Sequence, residues 1–415
     1  MPSRSAARSA RCFEPPRVTP ADKPPTQPPI KLGIAGLGLA GAMMIRAARV
    51  HPQFTLHAAA DPLPRPRESF ARDFGAKAFA DFEALCADPE VEAIYIGTPH
   101  WLHADQAVLA LEHGKHVLVE KPLALTLEDC DRVIAAAARA RTGLIVGHTH
   151  GFDPNIRALR GLVASGALGR LGMIHTFNYN DFLYRPRRLD ELDTAKGGGV
   201  LFNQVTHQIE IVRTIAGGLA RSVRANVGIL DPARPAEGHC LAFLEFENGA
   251  AASLVFSAYD FFDSDELHSW IAEGGNPKPP DRHGAARRLL REGAPEPERQ
   301  KDLGYGGRPL PVEQPYQPHF GLIIVTAEKG DVRLSPNGLW LYGADGRREI
   351  PVPRGIGRPG HGDALDALWR VVRDGAQDFH DARWGKATLE VALAMLRSAR
   401  ERREILLSHQ SPVRD

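Results

Sequence analysis

Short apolar runs alternate with segments of helical period from residue 30 to about residue 150. The runs that we predict as strands are Ile30–Leu37, Leu56–Ala60, Val91–Thr98, His116–Val119 and Leu144–Gly147. Helices are predicted between several of them, ending near Val50 and spanning Trp101–Glu112 and Leu127–Ala140. Strands that are apolar throughout are typical of a parallel sheet covered by helices on both faces. The pattern predicts a doubly wound parallel sheet over residues 30–150.

The pattern changes after residue 150. A helix over Asn155–Ala164 and a second helix ending near Ile215 are accompanied by strand-like stretches with turn sequences such as Glu247-Asn248-Gly249. The strands are predicted over Met173–Tyr179, Val223–Leu230, Cys240–Phe246, Ala251–Ser257, Leu267–Ala272, Leu322–Val325 and Leu339–Tyr342. Such turns join antiparallel strands. Residues 151–405 are therefore expected to form an α+β domain with a mostly antiparallel second sheet, closed by amphipathic helices over Ala364–Val372 and Leu389–Arg400.

Three segments fall outside this pattern. Residues 1–29 contain eight prolines and almost no aliphatic residues, so they cannot bury enough apolar surface to offset chain entropy and are expected to be a disordered tail. Residues 273–308 are rich in proline, glycine and charge and predict a polar excursion with a short helix near Ala285–Leu290. Residues 406–415 are expected to form a second tail.

Composition limits the partners. The 415 residues carry 51 Lys plus Arg against 50 Asp plus Glu, a formal charge of +1. This nearly equal number of basic and acidic residues gives no excess of positive charge, which nucleic-acid-binding proteins typically have. The longest uncharged apolar run, Leu32–Ile45, is shorter than the about 20 residues that a bilayer span needs. The four cysteines have no CxxC spacing, which favours a reducing cytoplasm over a disulfide framework or a cysteine zinc site. From the charge and the apolar runs we expect a small-molecule substrate and neither nucleic-acid nor membrane partners.

A glycine-rich motif follows the first strand directly and opens a helix. In Gly36-x-Gly38-x-x-Gly41 the first glycine allows a tight turn, the second lets the backbone approach a pyrophosphate, and the third lets the helix pack on the strand. The helix N-terminus adds partial positive charge. Asp61 ends the next strand, where its carboxylate can accept from ribose hydroxyls. The motif predicts a dinucleotide site, with NAD favoured because a 2′-phosphate would meet Asp61; nearby Arg65 and Arg67 keep NADP as the alternative.

A second candidate motif lies at the same edge of the predicted sheet. Glu120, Lys121 and Pro122 follow the strand His116–Val119, and Thr98-Pro99 ends the preceding strand. Ligands of open parallel sheets bind at this carboxyl edge. A lysine in a partly dry cleft holds a substrate hydroxyl or moves a proton; the alternative is a solvated lysine in a turn.

Together these motifs resemble the Gfo/Idh/MocA oxidoreductase family over residues 30–405. The resemblance rests on the glycine motif, on Thr98-Pro-His-Trp-Leu-His103, on Gly114-Lys-His-Val-Leu-Val-Glu-Lys-Pro122 and on Gly197-Gly-Gly-Val-Leu-Phe-Asn-Gln-Val-Thr-His207. It implies an NAD(P)-dependent dehydrogenase with an N-terminal Rossmann domain and a C-terminal domain whose large open sheet carries the substrate site. It also implies a homodimer or homotetramer. By this match Lys121 and His207 occupy catalytic positions. The expected cofactor contacts are Gly36, Gly38, Leu39, Ala40, Gly41, Asp61, Thr98, Pro99, His103, Glu120 and Lys121.

The sequence departs from the family pattern four residues before the histidine, where family members commonly have aspartate. Asn203 stands there and shares a helix face with His207. Because asparagine cannot exchange a proton, we expect it to orient the substrate by hydrogen bonds. The stretch from Phe202 to Arg213 is similar to a narrower branch, the phthalate dihydrodiol and 4,5-dihydroxyphthalate dehydrogenase-like proteins. The alternative for His207 is a core histidine without a role in the site.

Charge near this stretch suggests the substrate. Arg185, Arg187 and Arg188 lie upstream of the glycine run and are suited to binding carboxylates; the alternative is a solvated loop. We predict oxidation of a secondary alcohol, with a cis-dihydrodiol of an aromatic carboxylic acid such as phthalate as the leading case. The alternatives are a sugar or inositol dehydrogenase, redox-neutral chemistry assisted by bound NAD, and a non-catalytic nucleotide-binding regulator. No metal site is expected, because the histidines at 100, 103, 148 and 150 lack a completing cysteine or carboxylate pattern.

Overall fold

The computed structural model describes residues 27–293, 296, 303–307 and 314–414. The predicted tail before residue 27 and much of the polar excursion beyond residue 293 lie outside the described residues. Among the described residues, no helix combines the length and the apolar composition that a membrane crossing requires.

The first sheet is parallel and has the strand order β3-β2-β1-β4-β5-β6. Its strands are β1 (Ile30–Ala35), β2 (Phe54–Ala60), β3 (Lys77–Phe79), β4 (Ala93–Ile96), β5 (His116–Glu120) and β6 (Leu144–Gly147). The connecting helices are α1 (Leu39–Val50), α2 (Pro64–Phe74), α3 (Phe82–Ala87), α4 (His103–Glu112) and α5 (Leu127–Arg139). Separate apolar clusters cover the two faces of the sheet. The predicted doubly wound parallel sheet is confirmed, and its strand order reverses between β1 and β4, where such folds bind ligands.

The second sheet has the order β14-β13-β12-β11-β7-β10-β9-β8-β15, in which neighbours pair antiparallel except for β7 and β10. Its strands are β7 (Leu171–Tyr179), β8 (Ala220–Gly228), β9 (His239–Phe246), β10 (Ala251–Ser257), β11 (Leu322–Ala327), β12 (Gly330–Ser335), β13 (Gly338–Gly343), β14 (Gly346–Pro351) and β15 (Ile405–Leu406). The mostly antiparallel open sheet is therefore confirmed.

Helices cover one face of the second sheet and leave the other open. The remaining helices are α6 (Pro154–Ala164), α7 (Thr206–Ala216), α8 (Ala285–Glu292), α9 (His361–Arg373) and α10 (Ala382–Glu401). Residues of α6, α7 and α10 share one apolar cluster with the inward side chains of β7–β11. On the open face, Met173, Leu241 and Phe243 are 42%, 57% and 49% exposed. Alternation of buried and exposed residues along β9 follows from the period of two in a strand.

Two predictions about local structure are wrong. The predicted strand Leu267–Ala272 is a 3₁₀ turn at Ser264–His268 followed by Ser269 and Trp270, both with φ near +58°, a conformation that no strand adopts. Residues 406–414 of the expected tail pack on the rest of the chain: β15 pairs with β8, and the backbone N–H groups of residues 408 and 409 donate to the Glu390 carboxylate. Buried carbonyl and carboxylate acceptors hold this segment although it is polar.

Candidate active site

A cavity of about 770 Å³ lies between the carboxyl edge of the first sheet and the loops of the second. It collects most of the predicted site residues, which are distant in sequence. Those that line it are Gly36, Gly38, Leu39, Ala40, Asp61, Thr98, Pro99, His103, Glu120, Lys121, Arg185, Arg187, Arg188, Asn203 and His207. The structure thus brings the expected cofactor and substrate residues to one continuous space.

The glycine loop at one end of the cavity has the geometry that a pyrophosphate needs. Gly36 has φ +84°, and a Cβ atom on Gly41 would lie 1.9 Å from the carbonyl oxygen of Gly36, so helix α1 could not approach with any side chain there. A Cβ on Gly38 would meet nothing within 4 Å. Gly38 is the N-cap of α1 and offers no side-chain cap to its first turn. The loop therefore presents an open, uncapped helix N-terminus to an anion.

The Asp61 carboxylate is fixed beside this loop. It accepts hydrogen bonds from the backbone N–H of Leu37 at 2.7 Å and of Leu63 at 2.8 Å. Arg67 donates to the backbone carbonyl of Asp61 at 2.6 Å. Arg67 is one of the two arginines, with Arg65, that were considered for binding the 2′-phosphate of NADP, and this bond already occupies its guanidinium. A carboxylate held at this point suits the ribose hydroxyls of NAD.

A turn over residues 303–307, within the predicted polar excursion, packs on the dinucleotide loop. The sequence did not indicate this contact. The Tyr305 N–H donates to the carbonyl oxygen of Leu37 at 2.8 Å, and its hydroxyl donates to Asp73 at 3.0 Å. The Tyr305 ring packs against Phe70 and Phe74 of α2. Through these contacts a segment that precedes β11 braces the dinucleotide loop.

Lys121 lines the cavity and follows β5 directly. Its Nζ donates to the backbone carbonyl of Asn203 at 2.5 Å. Burial lowers the pKa of Lys121 to about 8, against the opposing charge of Glu120. The Glu120 carboxylate accepts from the Tyr95 hydroxyl at 2.8 Å. A lysine with this pKa exchanges a proton near neutral pH far more readily than a solvated one.

Asn203 and His207 approach Lys121 from the far side. Residues Leu201–Val205 form a π-helical turn that continues into α7. The Asn203 side-chain amide donates to the carbonyl oxygens of Gly197 at 3.0 Å and Gly199 at 2.9 Å, so it fixes the glycine run. Asn203 and His207 both line the cavity.

The His207 ring is buried between two aromatic neighbours. Its centroid lies 4.7 Å from that of His150 and 4.9 Å from that of Phe320. Burial, reinforced by the charge of Lys121, lowers the pKa of His207 well below its usual range. Its Nδ1 atom has no hydrogen-bond partner among the residues that the structure describes. A neutral imidazole in this place can orient a substrate hydroxyl.

His103 is placed differently from the expected cofactor contact. Its ring is fully buried, and its two nitrogens lie 2.8 Å from the backbone carbonyl oxygens of Pro122 and Thr98. The ring therefore ties the turn after β4 to the turn after β5. It positions Thr98 and Lys121 at the cavity and has no free polar atom to offer a ligand.

The three arginines that were expected to bind substrate are neutralised by their own neighbours. Arg185 donates to Asp181 at 2.6 Å. Arg187 donates to Glu191 at 3.0 Å, and Arg188 lies 3.1 Å from Asp190. Each lines the cavity with its charge already paired, which weakens the hypothesis that these side chains recognise a carboxylate.

Several cavity residues were missed because they lie on loops without a motif. His150 Nδ1 lies 2.7 Å from the Asp153 carboxylate. The Glu273 carboxylate accepts from the side-chain amides of Asn178 at 3.1 Å and Asn180 at 3.0 Å. Arg358 completes this wall. No local pattern of residues marked Glu273 or Arg358 as part of the site.

A possible metal cluster lies away from the cavity. Ligand atoms of His57, Asp88 and Glu90 come within 4.8 Å of one another. Lys77 Nζ already lies 2.9 Å from Asp88 and 3.1 Å from Glu90. A cation would have to displace this ammonium group, so the cluster is an ion-pair network at the edge of the first sheet.

A buried carboxylate supports the floor of the site. Glu210 on α7 is fully buried and accepts from Trp384 Nε1 at 2.5 Å. His380 Nε2 lies 3.1 Å from Glu210, and His380 Nδ1 lies 2.8 Å from Asp378. A Cβ on Gly151 would lie 2.4 Å from Glu210, so the turn that carries His150 rests directly on this carboxylate. Glu210 therefore joins α7, α10 and the His150 turn rather than facing solvent.

We expect Glu210→Ala to destabilise the protein by about 3–5 kcal/mol, the cost of breaking a buried ion pair. Burial alone would raise the pKa of Glu210, but His148 and His380 lower it to about 2, while contact with Asp378 and Glu210 raises the pKa of His380. The contribution of Glu210 is present above its unfolded pKa of about 4.5 and lost as pH falls towards 2. The contribution of His380 to stability is complete below its unfolded pKa of about 6.5. It is lost as pH rises through the raised pKa of His380 in the folded protein.

The stability difference between parent and Glu210→Ala, measured by urea unfolding, should therefore be largest between about pH 4.5 and 6.5. Glu210→Gln, which keeps the shape and one acceptor, is the matched control and should show a smaller loss. A difference that does not vary with pH would contradict the ion-pair assignment.

Comparison with known proteins places this geometry in context. Residues 30–148 match the model described as "Oxidoreductase family, NAD-binding Rossmann fold", and residues 156–269 match the GFO/IDH/MocA C-terminal domain. The chain is 38% identical over 377 residues to the 1-carboxy-3-chloro-3,4-dihydroxycyclohexa-1,5-diene dehydrogenase of Comamonas testosteroni, covering 88% of this chain and 94% of that protein.

Solved structures share the fold. A crystal structure from Bordetella bronchiseptica RB50 superposes with a TM-score of 0.88 at 46% identity, over 91% of this chain and 100% of that one. Levoglucosan dehydrogenase in complex with NADH and L-sorbose superposes with a TM-score of 0.70 at 18% identity, over 92% of this chain and 100% of that one. At 18% identity the second similarity concerns the fold alone.

Proposed function

The chain belongs to the Gfo/Idh/MocA oxidoreductase family, and from this premise we propose that it oxidises a cis-dihydrodiol of an aromatic carboxylic acid. The family assignment makes it an NAD-dependent dehydrogenase and confirms the predicted cofactor. The open, uncapped loop at Gly38 and the fixed Asp61 carboxylate fit NAD. The dihydrodiol is the part that we add.

The observation that carries the proposal is a buried lysine with a pKa of about 8, whose Nζ donates to the backbone carbonyl of Asn203 in the cavity. Lys121 and Asn203 meet in the cavity, and no carboxylate of position 203 competes with an acidic substrate. The Comamonas relative, by its name, acts on a ring that carries one carboxylate and two hydroxyl groups. With asparagine at position 203, the cavity has one carboxylate fewer to repel an anion of this kind.

The proposed chemistry assigns one task to each side chain. Bound NAD supplies the hydride acceptor. Lys121, in its neutral form, takes the proton of the reacting hydroxyl, so the carbinol loses a hydride and a proton in total. The carbonyl oxygen of Asn203 orients Lys121 Nζ, and neutral His207 hydrogen-bonds the same hydroxyl. The resulting hydroxyketone then tautomerises to a catechol, which regains aromaticity and makes the oxidation favourable.

The test is a substrate panel with purified protein and NAD. We expect kcat/KM for a carboxylated cis-dihydrodiol to exceed that for the same diol without the carboxylate by about tenfold or more, because a charge-assisted contact would be lost. NADH should appear in equal amount to the catechol. Turnover of inositol or glucose without turnover of any carboxylated diol would favour the sugar alternative, and product without NADH would indicate redox-neutral chemistry.

A further inference from the structure

One cation of the cavity wall differs from its neighbours. Besides Lys121, the cationic side chains that line the cavity are Arg185, Arg187, Arg188, Lys196 and Arg358. The first four face carboxylates of Asp181, Glu191, Asp190 and Asp193 at 2.6–3.9 Å. Within the described part of the chain, the Arg358 guanidinium has neither a hydrogen bond nor an ion pair within 4.0 Å.

The position of Arg358 is set by the fold. It lies in the loop between β14 and α9, three residues before His361, which also lines the cavity. One of its terminal nitrogens is 3.4 Å from the place where a Cβ on Gly274 would lie. The absence of a side chain at Gly274 therefore leaves room for the guanidinium beside the cavity.

The surroundings of Arg358 do not satisfy its charge. Burial lowers the pKa of Arg358, and the carboxylate of Asp153 opposes this effect at longer range. Asp153 is already bonded to His150 at 2.7 Å. A guanidinium stays charged in proteins and carries five N–H donors. Because this guanidinium is only partly exposed and has no acceptor among the described residues, a ligand that supplies acceptors here gains charge-assisted hydrogen bonds.

An acceptor for hydroxyl groups lies next to this cation. The Glu273 carboxylate is held by the amides of Asn178 and Asn180, and Arg185 Nη2 lies 3.9 Å from it. Glu273 and Gly274 line the cavity together with Arg358. This part of the cavity wall thus offers both a cation and a hydrogen-bond acceptor, the pair that a hydroxylated carboxylic acid requires.

We propose that Arg358, and not the arginines at 185, 187 and 188, binds the carboxylate of the substrate. Glu273 accepts a hydrogen bond from the ring hydroxyl that is not oxidised. Lys121 and His207 hold the reacting hydroxyl, so the three contacts orient the ring within one cavity. This inference rests on the proposed function, because it takes the substrate to be a carboxylated diol.

The test compares Arg358→Met with Arg354→Met in the NAD-loaded protein. Arg354 lies in the same loop, is exposed, and donates to the backbone carbonyl of Gln314, so it is a matched control outside the cavity. We expect Arg358→Met to raise KM for a carboxylated dihydrodiol about 10- to 100-fold, as the loss of a charge-assisted contact predicts. KM for the diol without the carboxylate should stay within about twofold. Arg354→Met should leave both values unchanged.

A second measurement separates this inference from the proposed function. Calorimetry of benzoate binding to the NAD-loaded parent and to Arg358→Met needs no turnover. If no carboxylated diol is oxidised but benzoate binding weakens tenfold or more in Arg358→Met, the carboxylate site stands and the proposed function fails.

Other outcomes overturn the assignment of Arg358. One is oxidation of carboxylated diols with a KM that Arg358→Met leaves unchanged or raises equally for the neutral diol. Another is a KM that rises for the carboxylated diol, and not for the neutral diol, in Arg188→Met but not in Arg358→Met. A parent protein that neither binds benzoate nor oxidises a carboxylated diol also contradicts it.

Discussion

Replacing Lys121 by alanine is expected to lower the rate of alcohol oxidation by about 10²–10⁴-fold, the usual cost of removing a general base. The side chain lines the cavity, and its Nζ donates to the Asn203 carbonyl oxygen at 2.5 Å. NAD affinity should stay within a few-fold, because the dinucleotide loop is built from other residues. Steady-state kinetics together with calorimetric titration of NAD would measure both effects.

The pH dependence of the rate tests the proton-transfer role separately. With its pKa lowered to about 8 by burial, Lys121 is mostly protonated at neutral pH and becomes a base as pH rises. The kcat/KM for oxidation should therefore rise through about pH 8 and then level off. Lys121→Arg keeps the charge but cannot lose its proton. If Lys121→Arg or Lys121→Ala turned over at nearly the parent rate, Lys121 would have no role in proton transfer.

Much of the first sheet could be predicted because its signals are local. The apolar strands β1, β2, β5 and β6 are each bounded by glycine, proline or a charged residue within a few positions. The helix α2, the three-residue strand β3 and the six-residue helix α3 were missed, because short and mainly polar elements have no strong period. In the second sheet, the polar strands β12 and β14 were not predicted for the same reason.

The substrate wall was harder to predict, and the arginines show why. Asp181 precedes Arg185 by four residues and Glu191 follows Arg187 by four, so the sequence already contained the partners that neutralise them. Arg358, in contrast, reaches the cavity only because β14 and α9 place its loop beside residue 274, more than 80 positions away. Cations with acidic neighbours four residues away are therefore weak candidates for ligand binding, and unpaired ones require the tertiary structure to be found.

Gly38→Val is expected to weaken NAD binding by about 100-fold or more while leaving the fold intact. Gly38 has φ −68° and ψ −161°, a conformation that valine adopts, and a Cβ there meets no atom within 4 Å. The valine would therefore fit the unliganded protein but occupy the space of the pyrophosphate. It would break several charge-assisted hydrogen bonds from the first turn of α1.

The neighbouring glycine provides the contrast that makes this prediction specific. A Cβ on Gly41 would lie 1.9 Å from the Gly36 carbonyl oxygen, so Gly41→Val must move α1 away from β1. Gly41→Val should lower both the melting temperature and the affinity for NAD. Gly38→Val should lower only the affinity for NAD and melt within about 2 °C of the parent, since its folded contacts are unchanged. Calorimetry and thermal unfolding of the two variants separate a cofactor contact from a packing contact. If Gly38→Val bound NAD as tightly as the parent protein, the pyrophosphate would have to lie elsewhere along the edge of the sheet.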